Sequence, residues 1–268
     1  MNPIWQTLRF TVIEILQMRA FRGLLLIVLL ILPLAAVVFS NLFLLEMGKV
    51  RIDTLAAGER IIAALYILVI VVSLIGSDIA RGTSYLFLTP PNTRRDYLIG
   101  RFLGVTTGLF ILMLCAALGG EAVITLSMIS DIPTYRHGLD YGNGALLAMF
   151  VFYQHISVLA AIMFICVWAT GTAEMMVFSF GMIVLAWSLP AVLQAMQSRE
   201  VLQHVPESVA VLLKSISYLF PKLNGAEIAL ALGHGLPITG IIAHVAEHSG
   251  YALFMFGLAL YTFSKRDL

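Results

Sequence analysis

The chain reads as long apolar runs set apart by short polar stretches. Gly23–Leu45 is 23 residues without a charge, Ile61–Ser77 is 17 and Phe102–Gly120 is 19. Tyr141–Ala173 is 33, Met175–Ser198 is 24, and Ser249–Ser264 is 16 and extends back through His244, Val245 and Ala246. About 20 apolar residues suffice to cross a hydrocarbon core as a helix. None of these runs shows the period-two alternation of a membrane β-barrel strand. Only helices and closed barrels satisfy their backbone groups in lipid, so the pattern predicts an all-α, polytopic membrane protein with six transmembrane helices. The first run is too long, and begins too far into the chain, for a secretory leader, and is read as a retained first span. Pro33 and Pro190 fall inside spans and predict kinks there.

Two segments lie outside the runs. In residues 1–22, Trp5, Leu8, Val12, Ile15 and Arg19 recur at helical spacing, which predicts an amphipathic N-terminal helix lying in the membrane interface. Residues 199–248 form a 50-residue outer segment. It holds the apolar stretch Val209–Phe220, then Pro221. Asn224 and Glu227 follow at N-cap and N3 spacing, opening Ile228–Leu232. Gly233, Gly235 and Pro237 break that pattern, and a further helix is expected from Thr239 into the last span. These pieces are too apolar for a free loop and too short to span. They predict short re-entrant helices on the outer side, with Leu212, Leu219, Pro221 and Leu230 as an outer gate.

Composition narrows the class. The chain is 60% hydrophobic and 12% charged, with mean hydropathy +0.96, too few charges to cover a water-facing surface. Its two cysteines, Cys115 and Cys166, fall at different depths on antiparallel spans, so no disulfide scaffold is expected. A net charge of +1 gives no field that would attract nucleic acid. With both termini placed inside, the inner segments carry nine basic against five acidic residues, and the outer ones seven against nine. The positive-inside rule therefore puts both termini in the cytoplasm.

The stretch Ser77–Leu103 carries the candidate chemistry. Pro90 and Pro91 forbid a continuous helix. Thr93 and Asp96 have capping-box spacing, so a new helix is expected at Thr93, carrying Tyr97, Leu98 and Ile99. Arg94, Arg95 and Arg101 make it basic, which suits the docking of a soluble partner at the cytoplasmic mouth between spans two and three.

Gly82-Thr83, the leucine-containing stretch Leu86–Leu88, Pro91, Thr93-Arg94 and Gly100-Arg101 fall at the offsets of a segment typical of permease subunits of type-2 ABC transporters. The chain resembles that family also in overall layout across residues 1–268. The run Tyr218–Asn224 and the tail Phe263–Leu268 are similar to its members, the tail most to the subgroup containing the nitrous-oxide-reductase maturation permease. Arg101 stands where the family usually has Lys, and Ala80 where it often has an acid, with Asp78 nearby. The resemblance implies one transmembrane domain, a homodimer in the bacterial inner membrane and a cytoplasmic ABC ATPase partner that holds ATP and Mg. It implies docking through the 78–101 segment at Thr93, Arg94, Arg95, Asp96, Tyr97, Leu98, Gly100 and Arg101. The chain would be a non-enzymatic exporter subunit. It has no GxxxxGK[ST], since Gly48-Lys49 is followed by Val50, so no cofactor is expected on it. The few charges along the spans suit an apolar or amphipathic cargo.

Two other features compete. His244-Val-Ala-Glu247-His248 matches the H-x-x-E-H zinc-hydrolase motif, with both histidines on one helix face and Glu247 as base; a third ligand would have to come from elsewhere, such as Glu227 or His234. His155 is expected deep in its span and Glu121 near the outer end of its own, making them the polar candidates for a substrate path.

Overall fold

The computed structural model describes residues 2–43, 46–80, 93–136, 138–196, 207–217, 219–221, 223 and 238–265. Their regular structure is helical throughout. We label the helices α1 (Pro3–Gln17), α2 (Arg19–Ser40), α3 (Met47–Asp78), α4 (Arg94–Ser130), α5 (Asn143–Trp168), α6 (Thr172–Met196), α7 (Glu207–Ser217) and α8 (Ile238–Lys265). Five of them, α2 to α6, are long and apolar enough to cross a membrane. This is the multi-pass, all-α class that the apolar runs predict.

Helix α8 is 28 residues long, but it is not among those five. His244, Glu247, His248 and Ser249 dilute its first half. Its second half runs antiparallel to the start of α4, where Phe256 stacks on Phe102 at 4.2 Å and Phe263 meets Tyr97 at 6.0 Å. The further helix expected from Thr239 is the first part of α8 itself.

Helix α1 departs from the flat interfacial helix expected of residues 1–22. It lies lengthwise along α4, in parallel. Its buried positions are Thr7, Thr11 and Ile15, whereas Trp5, Phe10, Ile13 and Leu16 are exposed. The contact depends on Gly100, Gly104 and Gly108, one per turn of α4. A Cβ on Gly104 would sit 2.5 Å from Thr11 Cβ, and one on Gly108 would sit 2.4 Å from the Tyr66 hydroxyl. Small residues at i, i+4 and i+8 let two helices approach at backbone distance. A helix lying across α4 would meet only one of these three rungs.

Helix α3 also differs from expectation. It begins at Met47 rather than Ile61, and takes in Lys49, Arg51, Asp53, Glu59 and Arg60. These charges do not end the helix because the most buried are covered by the chain itself. Arg51 is 3% exposed; its Nε donates to Ser40 Oγ at 2.9 Å and it pairs with Asp131 just beyond α4. Halfway along, the Tyr66 hydroxyl donates to the Val105 carbonyl at 2.7 Å.

Pro190 lies inside α6 and has no N–H to give the carbonyl of Ala186. The backbone N–H of Leu223 donates there instead, at 3.3 Å, and Leu223 is buried. The Tyr251 hydroxyl donates to the Leu219 carbonyl at 2.7 Å. Leu219 is therefore held to α8 by the carbonyl it supplies, and Leu223 to α6 by the carbonyl it fills. Within the outer segment, α7 matches the apolar stretch expected at 209–220, while Asn224, Glu227 and Leu230 lie outside the described residues.

Gly104→Val is expected to push α1 off α4 and destabilise the protein by about 1–3 kcal/mol, read as a lower thermal midpoint in detergent. Gly257→Ala, where nothing lies within 4 Å of the added Cβ, is the control and should not lower it.

Candidate functional site

The predicted capping box is present. The backbone N–H of Asp96 donates to Thr93 Oγ1 at 3.2 Å, and that of Thr93 donates to Asp96 Oδ2 at 3.1 Å. The helix it opens is not a separate docking helix. It is the first part of α4, a single helix of 37 residues. Tyr97 and Leu98 are each 1% exposed, so the apolar anchors expected to face a partner are packed inside this chain. Gly100 is taken up against Thr7, with a Cβ there falling 2.5 Å from Thr7 Cβ. Thr93 and Arg95 are exposed and Arg94 and Asp96 half-buried. The resemblance-bearing residues Gly82, Thr83, Leu86, Leu88 and Pro91 lie outside the described residues.

Arg101 is the centre of this end of the bundle. It is 1% exposed. Its Nη1 donates to Glu14 Oε2 at 2.7 Å and to Thr11 Oγ1 at 3.2 Å, and its Nη2 pairs with Asp78 Oδ2 at 2.5 Å. The Tyr97 hydroxyl donates to the same Asp78 oxygen at 2.6 Å. The guanidinium also lies 5.7 Å from the Phe10 ring centroid and 5.8 Å from that of Tyr97, within cation–π range. One cation thus joins α1, the end of α3 and the start of α4, while Tyr97 brings in Phe263 of α8. A lysine could not present this fork of donors.

The other candidates are dispersed. His155 is 0% exposed near the middle of α5, and its Nδ1–H donates to the Val151 carbonyl at 2.8 Å. Glu121 Oε1 accepts the Gly142 N–H at 2.8 Å, which ties α4 to the residue that begins α5. Favourable charge at a helix N-terminus explains that placement. Leu212 and Leu219 are 58% and 66% exposed, whereas Pro221 is buried. His244 and His248 have ring centroids 4.6 Å apart. His248 Nδ1 is engaged with Ser157 Oγ at 2.9 Å. Among the described residues no group of three His, Cys, Asp or Glu is placed to hold a metal, and Glu227 and His234 are not among them. Cys115 and Cys166 are both free thiols.

Sequence reasoning missed three things. Glu14 and Asp78 had no visible partner until α1 was laid along α4; the Gly100-x-x-x-Gly104-x-x-x-Gly108 spacing was the signal that could have placed it. Glu59 precedes the apolar run that begins at Ile61. It is 0% exposed within α3, and neither carboxyl oxygen has a hydrogen-bond partner among the described residues. Gln154, beside His155, is likewise fully buried with both amide atoms unpartnered there.

An open apolar groove of about 280 Å³ lies between α4 and α5, lined by the exposed Phe110, Leu114 and Met149 and by Met113, Ala148 and Phe152 among others. Comparison with protein-family models and with curated proteins finds no match to this chain.

Arg101→Met is expected to destabilise the protein by about 3–5 kcal/mol, because it leaves two carboxylates without their buried counter-charge. Adding Asp78→Asn should recover part of that loss. Thermal unfolding of the two variants in detergent checks both statements.

Proposed function

We propose that the chain is the transmembrane permease subunit of an ATP-driven exporter of the type-2 ABC class. The single observation that carries this reading is the spacing from Gly82-Thr83 to Gly100-Arg101, with its helix start capped at Thr93. The nucleotide would bind a partner ATPase, because no phosphate-binding loop occurs in this sequence. The partner would dock at the end of the bundle held by Arg101. Since Tyr97 and Leu98 are buried, its contacts on the described residues would be polar, to Thr93, Arg94 and Arg95.

In this reading α8 is the sixth span. Its antiparallel course along α4 supports that, and six crossings return both termini to one side, the cytoplasm of a bacterial inner membrane. The permease would pair as a homodimer, with the 199–248 segment on the outer side. The open apolar groove between α4 and α5 is consistent with a cargo that has a hydrophobic body. Buried Glu59, Gln154 and His155 favour the amphipathic end of that range, since a polar group in transit would find partners on α3 and α5. The zinc-hydrolase alternative would need its third ligand from the region of Glu227 and His234, which lies outside the described residues.

The reading is tested by co-purification from the native membrane. Wild-type protein is expected to bring down a soluble Walker-motif ATPase whose activity needs this chain. Arg94→Glu with Arg95→Glu should still insert but release it. Full retention and unchanged ATPase activity in that variant would overturn the docking, and absence of any ATPase from the wild-type preparation would overturn the function.

A further inference from the structure

We infer that Glu59 is a proton-binding site inside the bundle: it carries a proton while α3, α4 and α5 are packed together, and gives it up when that junction opens. The observation is a sealed carboxyl group. Glu59 is 0% exposed, and neither of its oxygens has a hydrogen-bond partner among the described residues. It lies within a helix long and apolar enough to cross a membrane. The seal has a local cause. Gly144 of α5 meets α4 backbone to backbone, since a Cβ on it would fall 2.6 Å from the Glu121 nitrogen and 2.8 Å from the Gly120 carbonyl carbon. Gly120 faces α3 at the same place. A Cβ there would lie 3.5 Å from Gly144 Cα, 3.7 Å from Leu55 Cδ1 and 3.8 Å from Glu59 Oε1. One carboxyl oxygen of α3 therefore points to where α4 and α5 touch, with room beside it for about one carbon atom. That suffices for a proton on the acid itself, but not for the six or so oxygens that a bound metal ion gathers.

The charged and titratable groups of the neighbouring elements do not answer this carboxyl. On α3 itself, Arg51 pairs with Asp131, Asp53 is exposed, and Arg60 Nε donates to the Ala56 carbonyl at 3.3 Å. On α4, Glu121 accepts the Gly142 N–H. On α5, His155 Nδ1–H donates to the Val151 carbonyl. Helix α2 carries no charge after Arg22, and the 133–136 turn adds Tyr135 and Arg136. None of the described residues hydrogen-bonds Glu59. An ionised carboxylate enclosed without a donor or counter-charge is costly, and a proton is the smallest ligand that removes the charge. The exchange balances without a co-reactant. As the junction closes, one proton passes from water to a Glu59 oxygen; as it opens, the same proton returns to water. An exposed glutamate is ionised at neutral pH, so the packed arrangement binds one proton more than the open or unfolded chain and loses stability as pH rises. Any movement of the spans that opens this junction is thereby linked to proton release.

The test reads the proton directly and then its linkage. Infrared spectra of the full chain in detergent at neutral pH are expected to show the C=O band of a neutral carboxylic acid in the wild type and to lack it in Glu59→Gln. If Glu59→Gln fails to insert, Glu59→Asp takes its place and should shift the band. Glu59→Gln has the shape of the protonated acid but no proton to lose. Relative to it, the folded-to-unfolded ratio of the wild type should fall by about tenfold per pH unit as pH rises above about 5, the factor that one linked proton gives. The other titrating groups are common to both proteins and cancel in this comparison. A merely structural Glu59 would give a difference that does not change with pH. No neutral-acid band in the wild type, a band that neither variant alters, or a pH-independent stability difference would overturn the inference. No ATPase enters this experiment, so failure of the proposed transport role leaves its outcome standing, and the reverse also holds.

Discussion

A guanidinium with almost no exposed surface must find its counter-charge within the protein, and the position of Arg101 thereby fixes where three helices end. Burying a charge is costly unless it is paired and its donors are used. Arg101 lies two turns into α4, so its partners have to arrive from neighbouring helices. Asp78 comes from the last turn of α3, and Glu14 from α1. The glycine stripe on α4 is the complementary condition. Only where α4 lacks side chains can α1 come close enough to bring Glu14 within hydrogen-bond distance. The packing contact and the ion cluster are two parts of one arrangement, and neither sequence feature explains its position without the other.

The same logic recurs at the far end, with the signs exchanged. Arg51 of α3 meets Asp131 at the end of α4, as Asp78 of α3 meets Arg101 of α4. Along α3 the two clamps are 27 residues apart, about 40 Å of helix, close to the thickness of a bilayer with its headgroups. Between them Tyr66 bonds to the Val105 carbonyl through the notch left by Gly108. The α3–α4 pair is therefore fastened at both ends and near its middle. A force applied at one end of this pair would be carried to the other with little internal deformation, whereas α1 is held to it by a shared ion pair and close packing.

The class of fold was legible because lipid imposes a length. Five of the six apolar runs correspond to helices long and apolar enough to cross, and the sixth to a helix of full length whose first half carries His244, Glu247 and His248. The capping box at Thr93 was legible because its partners are three residues apart. What escaped were features whose partners are remote in sequence. Glu14 and Arg101 are separated by 87 positions, and Arg51 and Asp131 by 80. Treating charges as the ends of spans assumes that a charge meets water or headgroups. That assumption placed the start of α3 at Ile61, fourteen residues late, because Arg51 meets Asp131 and Glu59 is sealed inside the bundle. The outward turn of Tyr97 and Leu98 failed for a related reason. Their apolar character says that they are covered, but not by which chain.

Helix α8 shows the same limit from the other side. Its polar half would be costly against lipid, yet its two histidines meet α5, where Ser157 engages His248 and Phe150 packs edge-on with His244. Ser157 and His155 sit on a helix so thoroughly enclosed that most of its length is buried by its neighbours. A helix surrounded by protein can carry polar residues if its partners answer them, and a helix that answers them need not be strongly apolar itself. Hydropathy measures what a segment would cost alone in lipid. Once α5 and α8 are packed, the quantity that matters is the cost of the pair, and that cost is set by contacts 91 residues apart in sequence. The low apolarity of α8 and the enclosure of Ser157 on α5 are therefore one property of the bundle, visible only when both helices are in place.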